Sequence, residues 1–309
     1  MRRWLILVLL AAACGARAQA IEIPAWFSES LLEIPEEVKD AARDGKRLML
    51  YFGQDGCPYC KELMQTNFTQ RAIVEKTRRQ FVAIALNIWG DREVQWTDGR
   101  RMSEKELTRV HKIQYTPTLL FLDEKGAIVA RLNGYYPPHR FAAALDYAAG
   151  IAGKGQRFED YMKGAAKDAA SAKLHEEAFF LKLPVRLDGA KPVALVFETP
   201  YCSGCDELHR EGFRRPEVRK LLERFDVYRL TPDDARALSP PVAYTPTIAF
   251  FDGGREVFRI EAYLRPFHLA SALDYVASRA YRSEPSFQRF LQARAERLRE
   301  AGATVDLWK

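Results

Sequence analysis

Cysteine is scarce in this chain of 309 residues: there are five, and four of them form two Cys-x-x-Cys pairs, Cys57 with Cys60 and Cys202 with Cys205. The fifth is Cys14, so nothing is left to build a framework of structural disulfides. Long apolar runs are also missing. Trp4 to Ala13 is too short to span a bilayer stably, and no later stretch approaches about 18 residues. Charge of one sign is not gathered anywhere either. The 47 Lys and Arg and the 41 Asp and Glu are interspersed, and a formal net charge of +6 gives no reason to expect nucleic acid as a partner.

The N-terminus carries an address. Arg2 and Arg3 precede the apolar run, and Ala16, Ala18 and Ala20 offer small-residue cleavage sites, which together read as a secretory signal over residues 1–20. Its removal takes Arg2, Arg3 and Arg17 and lowers the formal charge from +6 to +3. A periplasmic protein without a transmembrane anchor is expected. Ala11-Ala12-Ala13-Cys14-Gly15 loosely resembles a lipoprotein box that would leave Cys14 lipidated. Its first position is Ala where Leu is usual, so simple cleavage is the preferred reading. Loss of Cys14 leaves every cysteine in a vicinal pair, the pattern of a disulfide-exchange catalyst rather than a stapled scaffold.

The rest of the chain is written twice. Lys46 to Phe52 leads into the first pair as Lys191 to Phe197 leads into the second, and Tyr115-Thr116-Pro117-Thr118 finds its counterpart in Tyr244-Thr245-Pro246-Thr247. Phe68, Val74 and Phe81 match Phe213, Val218 and Phe225. Leu145-Asp146-Tyr147 matches Leu273-Asp274-Tyr275, and the helix start at Phe158 matches Phe287. A repeat of this length makes two domains, expected at 21–153 and 154–309 with the boundary in the glycine-rich stretch 150–156. Each half reads as the same order of elements. A helical lead-in over Ser28 to Arg43 precedes strand 47–53, a dithiol helix, a helix capped by Thr69 and strand 81–87. Strands 118–122 and 127–132 and a helix from Pro138 follow. The second half repeats this at 192–197, 225–230, 247–251, 255–260 and 266–280, with Pro216 opening one helix and a docking helix over Phe287 to Arg299. The fold class expected is α/β, two mixed sheets flanked by helices.

A dithiol at helical spacing can cycle between thiol and disulfide, and a distant Thr-Pro-Thr is its expected partner if a cis-proline faces it. The rival readings fare worse. A single four-cysteine zinc site would need pairs on separate domains to meet, and haem attachment requires His where Lys61 and Asp206 stand. No metal and no cofactor are expected. His209, one turn after Cys205, is read as a solvated helix-face residue, and His111, His139, His175 and His268 are given no role. Trp89 and Trp96 are read as packing residues rather than as the lining of a substrate groove.

With these residues assembled, both halves resemble thioredoxin-fold domains. Cys57, Cys60 and Pro117 carry the resemblance in one, and Cys202, Cys205 and Pro246 in the other. The first Cys-to-Pro separation is 60 residues and the second 44, so the first domain holds an insertion around Ile88 to Met102, followed by a Ser103–Glu106 capping box. With its Lys61, the first domain resembles exported SoxW-type thioredoxin-like proteins and the C-terminal domain of the periplasmic thiol-reducing transporter. The resemblance implies a thiol-disulfide oxidoreductase that acts on protein disulfides and is fed by a membrane thiol donor. It implies Cys57 and Cys202 as nucleophiles, Cys60 and Cys205 as resolving thiols, and Thr116-Pro117 and Thr245-Pro246 as substrate-binding edges. A polypeptide-binding module with little turnover is the other class left open. Two departures are plain: Tyr51 and Val196 stand where a buried Asp is usual six residues before the pair, and Gly56 and Tyr201 replace the usual Trp.

Overall fold

The structure is a computed structural model, and it describes residues 20–165, 170–234, 241–242, 244–305 and 307. The secretory signal therefore lies outside the described residues up to residue 19.

Helix α1 (Ile34–Arg43) packs on β1 (Arg47–Gly53), whose Leu48 to Phe52 are buried on both faces of the sheet. The dithiol turn opens α2 (Pro58–Glu62), which continues through a π-turn (Leu63–Asn67) to α3 (Arg71–Gln80) and β2 (Phe81–Asn87). Next come a short hairpin, β3 (Glu93–Gln95) with β4 (Arg101–Ser103), and α4 (Glu104–Val110). Strands β5 (Thr118–Leu122) and β6 (Ile128–Asn133) precede α5 (Pro138–Ala148) and α6 (Phe158–Ala165). The sheet order is β2-β1-β5-β6, with β1 parallel to β2 and antiparallel to β5.

The second half repeats this plan: β7 (Val193–Phe197), α7 (Ser203–Glu207) with its own π-turn (Leu208–Gly212), α8 (Pro216–Leu222) and β8 (Asp226–Leu230). It closes with β9 (Thr247–Asp252), β10 (Arg255–Glu261), α9 (Pro266–Ala277) and α10 (Phe287–Glu300). Its sheet order is β8-β7-β9-β10, the same topology. The written repeat is thus a structural one. The insertion becomes the β3–β4 hairpin, whose Val94 and Trp96 are buried in the core on the α1 side of the first sheet. Buried Glu104 ties it down, accepting from Asn87 N at 2.9 Å and pairing with Arg92 at 2.6 Å.

Some local readings are corrected. Residues Ser28 to Leu32 are not helical, and α1 begins at Ile34, where Pro35 presets the first turn. Thr69 does not cap α3. The π-turn disturbs the preceding ladder, and the Thr69 hydroxyl turns back to donate to Gln65 O at 2.8 Å, leaving Gln70 at the N-cap. The capping box at Ser103 and Glu106 is formed.

The two halves share one hydrophobic core cluster. Tyr136 packs on Tyr244 with ring centroids 4.4 Å apart, and Tyr115 packs against Phe258 and Phe287 of the second half. Helix α6 belongs with α5: Phe158 and Tyr161 sit 5.2 and 5.4 Å from the Tyr147 ring. Among the described residues no helix is long and apolar enough to cross a membrane.

Candidate active site

Cys57 is the N-cap of α2, with Pro58 at the first helical position, and its sulfur accepts from Cys60 N at 3.1 Å. The two cysteines are closed as a disulfide and almost fully buried. Facing them, the Thr116–Pro117 bond is cis, and the Thr116 carbonyl oxygen lies 3.2 Å from the Cys57 sulfur. Beneath lies Tyr51, whose hydroxyl is buried without a partner. Burial first, and then the Asp55 carboxylate, push its ionisation far above the ordinary phenol range. Gly53 makes room for it, because a Cβ there would collide with the Tyr51 hydroxyl.

The second half covers this dithiol. Arg265 N donates to the Tyr59 hydroxyl at 2.6 Å, Arg265 pairs with Glu62 at 2.8 Å, and the His268 ring stands edge-on to Tyr59 at 5.3 Å. An amide chain runs alongside. Trp89 Nε1 donates to Gln54 Oε1 at 2.6 Å, Gln54 Nε2 donates to Gln288 Oε1 at 2.6 Å, and Gln288 Nε2 donates to Gln114 O at 3.0 Å. Trp96 packs as expected. Trp89, by contrast, reaches the site through Gln54.

A cavity of about 680 Å³ has Cys57 and Thr116 on one wall and Tyr263, Leu291 and Gln292 of the second half on the other. A neighbouring cavity of about 540 Å³ touches Ser203 and Gly204 of the second dithiol turn, and Tyr59, Tyr135 and Tyr263 line both. One dithiol turn thus borders each cavity, and the three tyrosines lie between them.

The second dithiol repeats the local geometry. Cys202 caps α7 and accepts from Cys205 N at 3.1 Å, the pair is closed as a disulfide, and Thr245–Pro246 is cis. Gly204 is needed here, since a Cβ would come within 2.9 Å of Pro246 Cδ. The surroundings are different. His209 is not a solvated helix-face residue: it is 5 % exposed, with Nε2 2.8 Å from Glu198 and Nδ1 3.0 Å from Glu177. Burial opposes its charge, but the bonds and charges of Glu198 and Glu177 outweigh burial and hold it above the usual histidine value. His175 stacks on it at 4.4 Å and bonds Asp206 at 2.6 Å. His175 and Ser171 N outweigh burial and hold the Asp206 carboxyl below its usual range. These partners come from residues 171–177 and from the end of β7, too far along the chain for helical spacing to reveal them.

Each Cys pair is closed on itself within its own half. Among the described residues no cluster of His, Cys, Asp and Glu could hold a metal ion. His111 lies against the Trp96 ring at 4.3 Å, and His268 is buried at the interface.

Residues 34–149 and 185–277 each match the thioredoxin-like domain. The chain belongs to the thioredoxin-like family. It is a tandem thioredoxin-fold protein, with mixed sheets flanked by helices in both halves. Over 115 residues it is 29 % identical to the thiol:disulfide interchange protein DsbD of Actinobacillus pleuropneumoniae serotype 5b (strain L20). The match covers 37 % of this chain and 18 % of that protein, so the chain spans less than a fifth of that relative. Among solved structures, a thioredoxin-fold protein from Helicobacter pylori is 24 % identical with a TM-score of 0.36, covering 45 % of this chain and 90 % of that one. The oxidised DsbD C-terminal domain of Neisseria meningitidis is 16 % identical with a TM-score of 0.29, covering 38 % and 94 %.

Proposed function

We propose that this tandem thioredoxin-like protein is a thiol-disulfide oxidoreductase that reduces disulfides in exported proteins in the periplasm. It is reloaded by a thiol donor at the membrane. The observation that carries this reading is the same geometry built twice: a Cys-x-x-Cys closed as a disulfide at a helix N-terminus, facing a cis Thr-Pro bond.

In the reduced form, Cys57 and Cys202 are the nucleophiles. The backbone N–H donors at Cys60 and Cys205, and the positive end of each helix, stabilise their thiolates. Attack on a substrate disulfide forms a mixed disulfide and releases one substrate thiol. Cys60 or Cys205, shielded one turn further in, then attacks the neighbouring cysteine sulfur and releases the second. Two electrons leave the protein and the substrate disulfide is reduced. The backbone of Thr116-Pro117 and Thr245-Pro246 offers a short edge for an extended substrate segment to pair with. The second half, as one wall of the Cys57 cavity, takes part in choosing what reaches the first dithiol.

The signal occupies 1–20 and the domains 21–153 and 154–309 on this reading, except that α6 (158–165), which lies past that boundary, packs on α5 and belongs with the first. Cells carrying Cys60→Ser or Cys205→Ser should accumulate mixed disulfides between the remaining nucleophile and substrate proteins. Identification of the trapped partners names the substrates. If neither variant captures a protein and the wild type does not reduce insulin, the catalytic reading falls.

A further inference from the structure

The chain ahead of β7 is tied onto the second dithiol turn. Its later part is a repeated anchor. Phe179 and Phe180 pack edge-on against Phe213, and Leu181 N donates to Val227 O at 2.8 Å. In the first half Trp26 and Phe27 pack edge-on against Phe68, and Ser28 N donates to Ala83 O at 2.7 Å. Its earlier part, Ser171 to Glu177, runs from that anchor to the dithiol. Ser171 bonds both flanks of the turn: its carbonyl accepts from Tyr201 N at 2.7 Å, immediately before Cys202, and its N–H donates to Asp206 Oδ2 at 3.0 Å, immediately after Cys205. His175 holds the other Asp206 oxygen at 2.6 Å and stacks on His209, while Glu177 meets His209 Nδ1 at 3.0 Å. Behind the segment, Arg229 of β8 donates to His175 O and pairs with Glu176 at 2.8 Å.

The bond to Tyr201 falls where the backbone is strained. Tyr201 has a φ of +59°, and its counterpart before the first pair is Gly56 at +73°. A left-handed residue is easy for glycine and unfavourable for a side chain with a Cβ, so it persists where neighbouring bonds hold it. The first half meets the requirement by residue type, the second by the bond from Ser171. Tyr201 is exposed, yet Cys202 beside it is buried.

We propose that Ser171 to Glu177 is a clasp across the second dithiol turn, which screens Cys202 from disulfides on other proteins while it is fastened and must lift to admit them. This rests on the reading of Cys202 as a nucleophile. A protein substrate has to bring its own backbone alongside the turn, where Ser171 already occupies the Tyr201 N–H and the Asp206 carboxylate. On the side facing the first half, Ser203 and Gly204 of the turn line the cavity of about 540 Å³, a space on the scale of a small ligand. Small disulfides therefore have a route that proteins lack. Lifting the clasp gives up the bonds to Asp206, and the relaxation of Tyr201 offsets part of that loss, so the fastened and lifted forms are two accessible states of one segment.

The experiment uses the full chain with Cys57→Ser and Cys60→Ser, reduced, so that only the second dithiol reacts. Oxidised glutathione is the small disulfide and insulin the protein disulfide. In each exchange the Cys202 thiolate attacks one sulfur of the probe, Cys205 then closes on Cys202, and the probe disulfide leaves as two thiols. The initial rate of oxidation of the pair is read by acid quench and mass spectrometry. His175→Ala and, separately, Ser171→Pro, whose ring nitrogen has no hydrogen for Asp206, should each raise the ratio of the insulin rate to the glutathione rate about tenfold, because the rate with a bulky substrate scales with the lifted fraction. A change in thiol acidity alone moves both rates together and leaves the ratio where it was. A ratio that stays within twofold of the parent's in either variant overturns the clasp. If the variants do not fold, hydrogen exchange in the parent decides: the Ser171 and Tyr201 amides should exchange at least about tenfold more slowly than in an unstructured peptide, and exchange at the free rate overturns the clasp. A parent inert to both probes beside an active wild type removes the second dithiol and the clasp together while leaving the first dithiol's activity standing. A wild type inert to both removes the functional reading itself.

Discussion

Both leading cysteines receive the same help from the backbone, one N–H at 3.1 Å and a helix N-terminus. Their acidities must therefore be set by what surrounds them. Cys57 has Lys61 in the last turn of its helix and shares its core cluster with the uncharged Tyr51 and Met64, with Asp55 as the carboxylate on its cavity. Cys202 has Asp206 and Glu207 on the helix it caps and the buried Glu198 four residues before it in the chain. A nearby cation favours a thiolate and nearby carboxylates oppose it. Thiol titration of the reduced full chain, with one pair at a time changed to serine, should give Cys57 the lower pKa. Cys202 titrating first would overturn this ordering.

At the scale of elements, α10 does more than pack on its own domain. Phe287 is buried against Tyr275, Phe258 and, across the interface, Tyr115, while Gln288 joins the amide chain that reaches Gln54 beside Cys57. Phe287→Ala should lower the unfolding free energy by about 3 to 5 kcal/mol, the usual cost of emptying a buried phenylalanine site, as measured by urea denaturation. A loss under 1 kcal/mol would mean that α10 is dispensable to the core. The docking role of this helix was legible from Phe287, Phe290 and Leu291 at helical spacing. That it also walls the first dithiol was not, because Gln288 and Gln292 are ordinary polar residues until the halves are brought together.

At the scale of the whole molecule, the halves meet over Tyr59, a residue lying between two cysteines, and His268 seals that contact. Burial, reinforced by the Arg265 charge, pushes the His268 pKa down to about 4, and its Nδ1 is buried without a partner. The folded-state value lies below the unfolded one, so the unfolded chain takes up the proton first. Stability tied to neutral His268 is then complete above about pH 6.5 and is lost as the pH falls towards 4. The loss is on the order of 3 kcal/mol between pH 7 and pH 4. Urea unfolding at the two pH values should show a smaller acid loss for His268→Phe than for the wild type. Equal losses would assign the acid sensitivity to other groups.

The sequence alone determined what is local or repeated. The buried strands β1 and β7, the helix-opening Pro216, the capping box at Ser103 and the doubled cysteines with their Thr-Pro-Thr each depend on neighbours a few residues away, or on a second copy that confirms them. Tertiary structure decided the rest. The cover over Cys57, the reach of Trp89 through Gln54, and the burial of His209 between Glu198 and Glu177 join residues from 11 to 234 positions apart. No periodicity or motif encodes such meetings. They arise because two amphipathic domains, each with one face left apolar, bury those faces against each other and carry their polar residues into the seam.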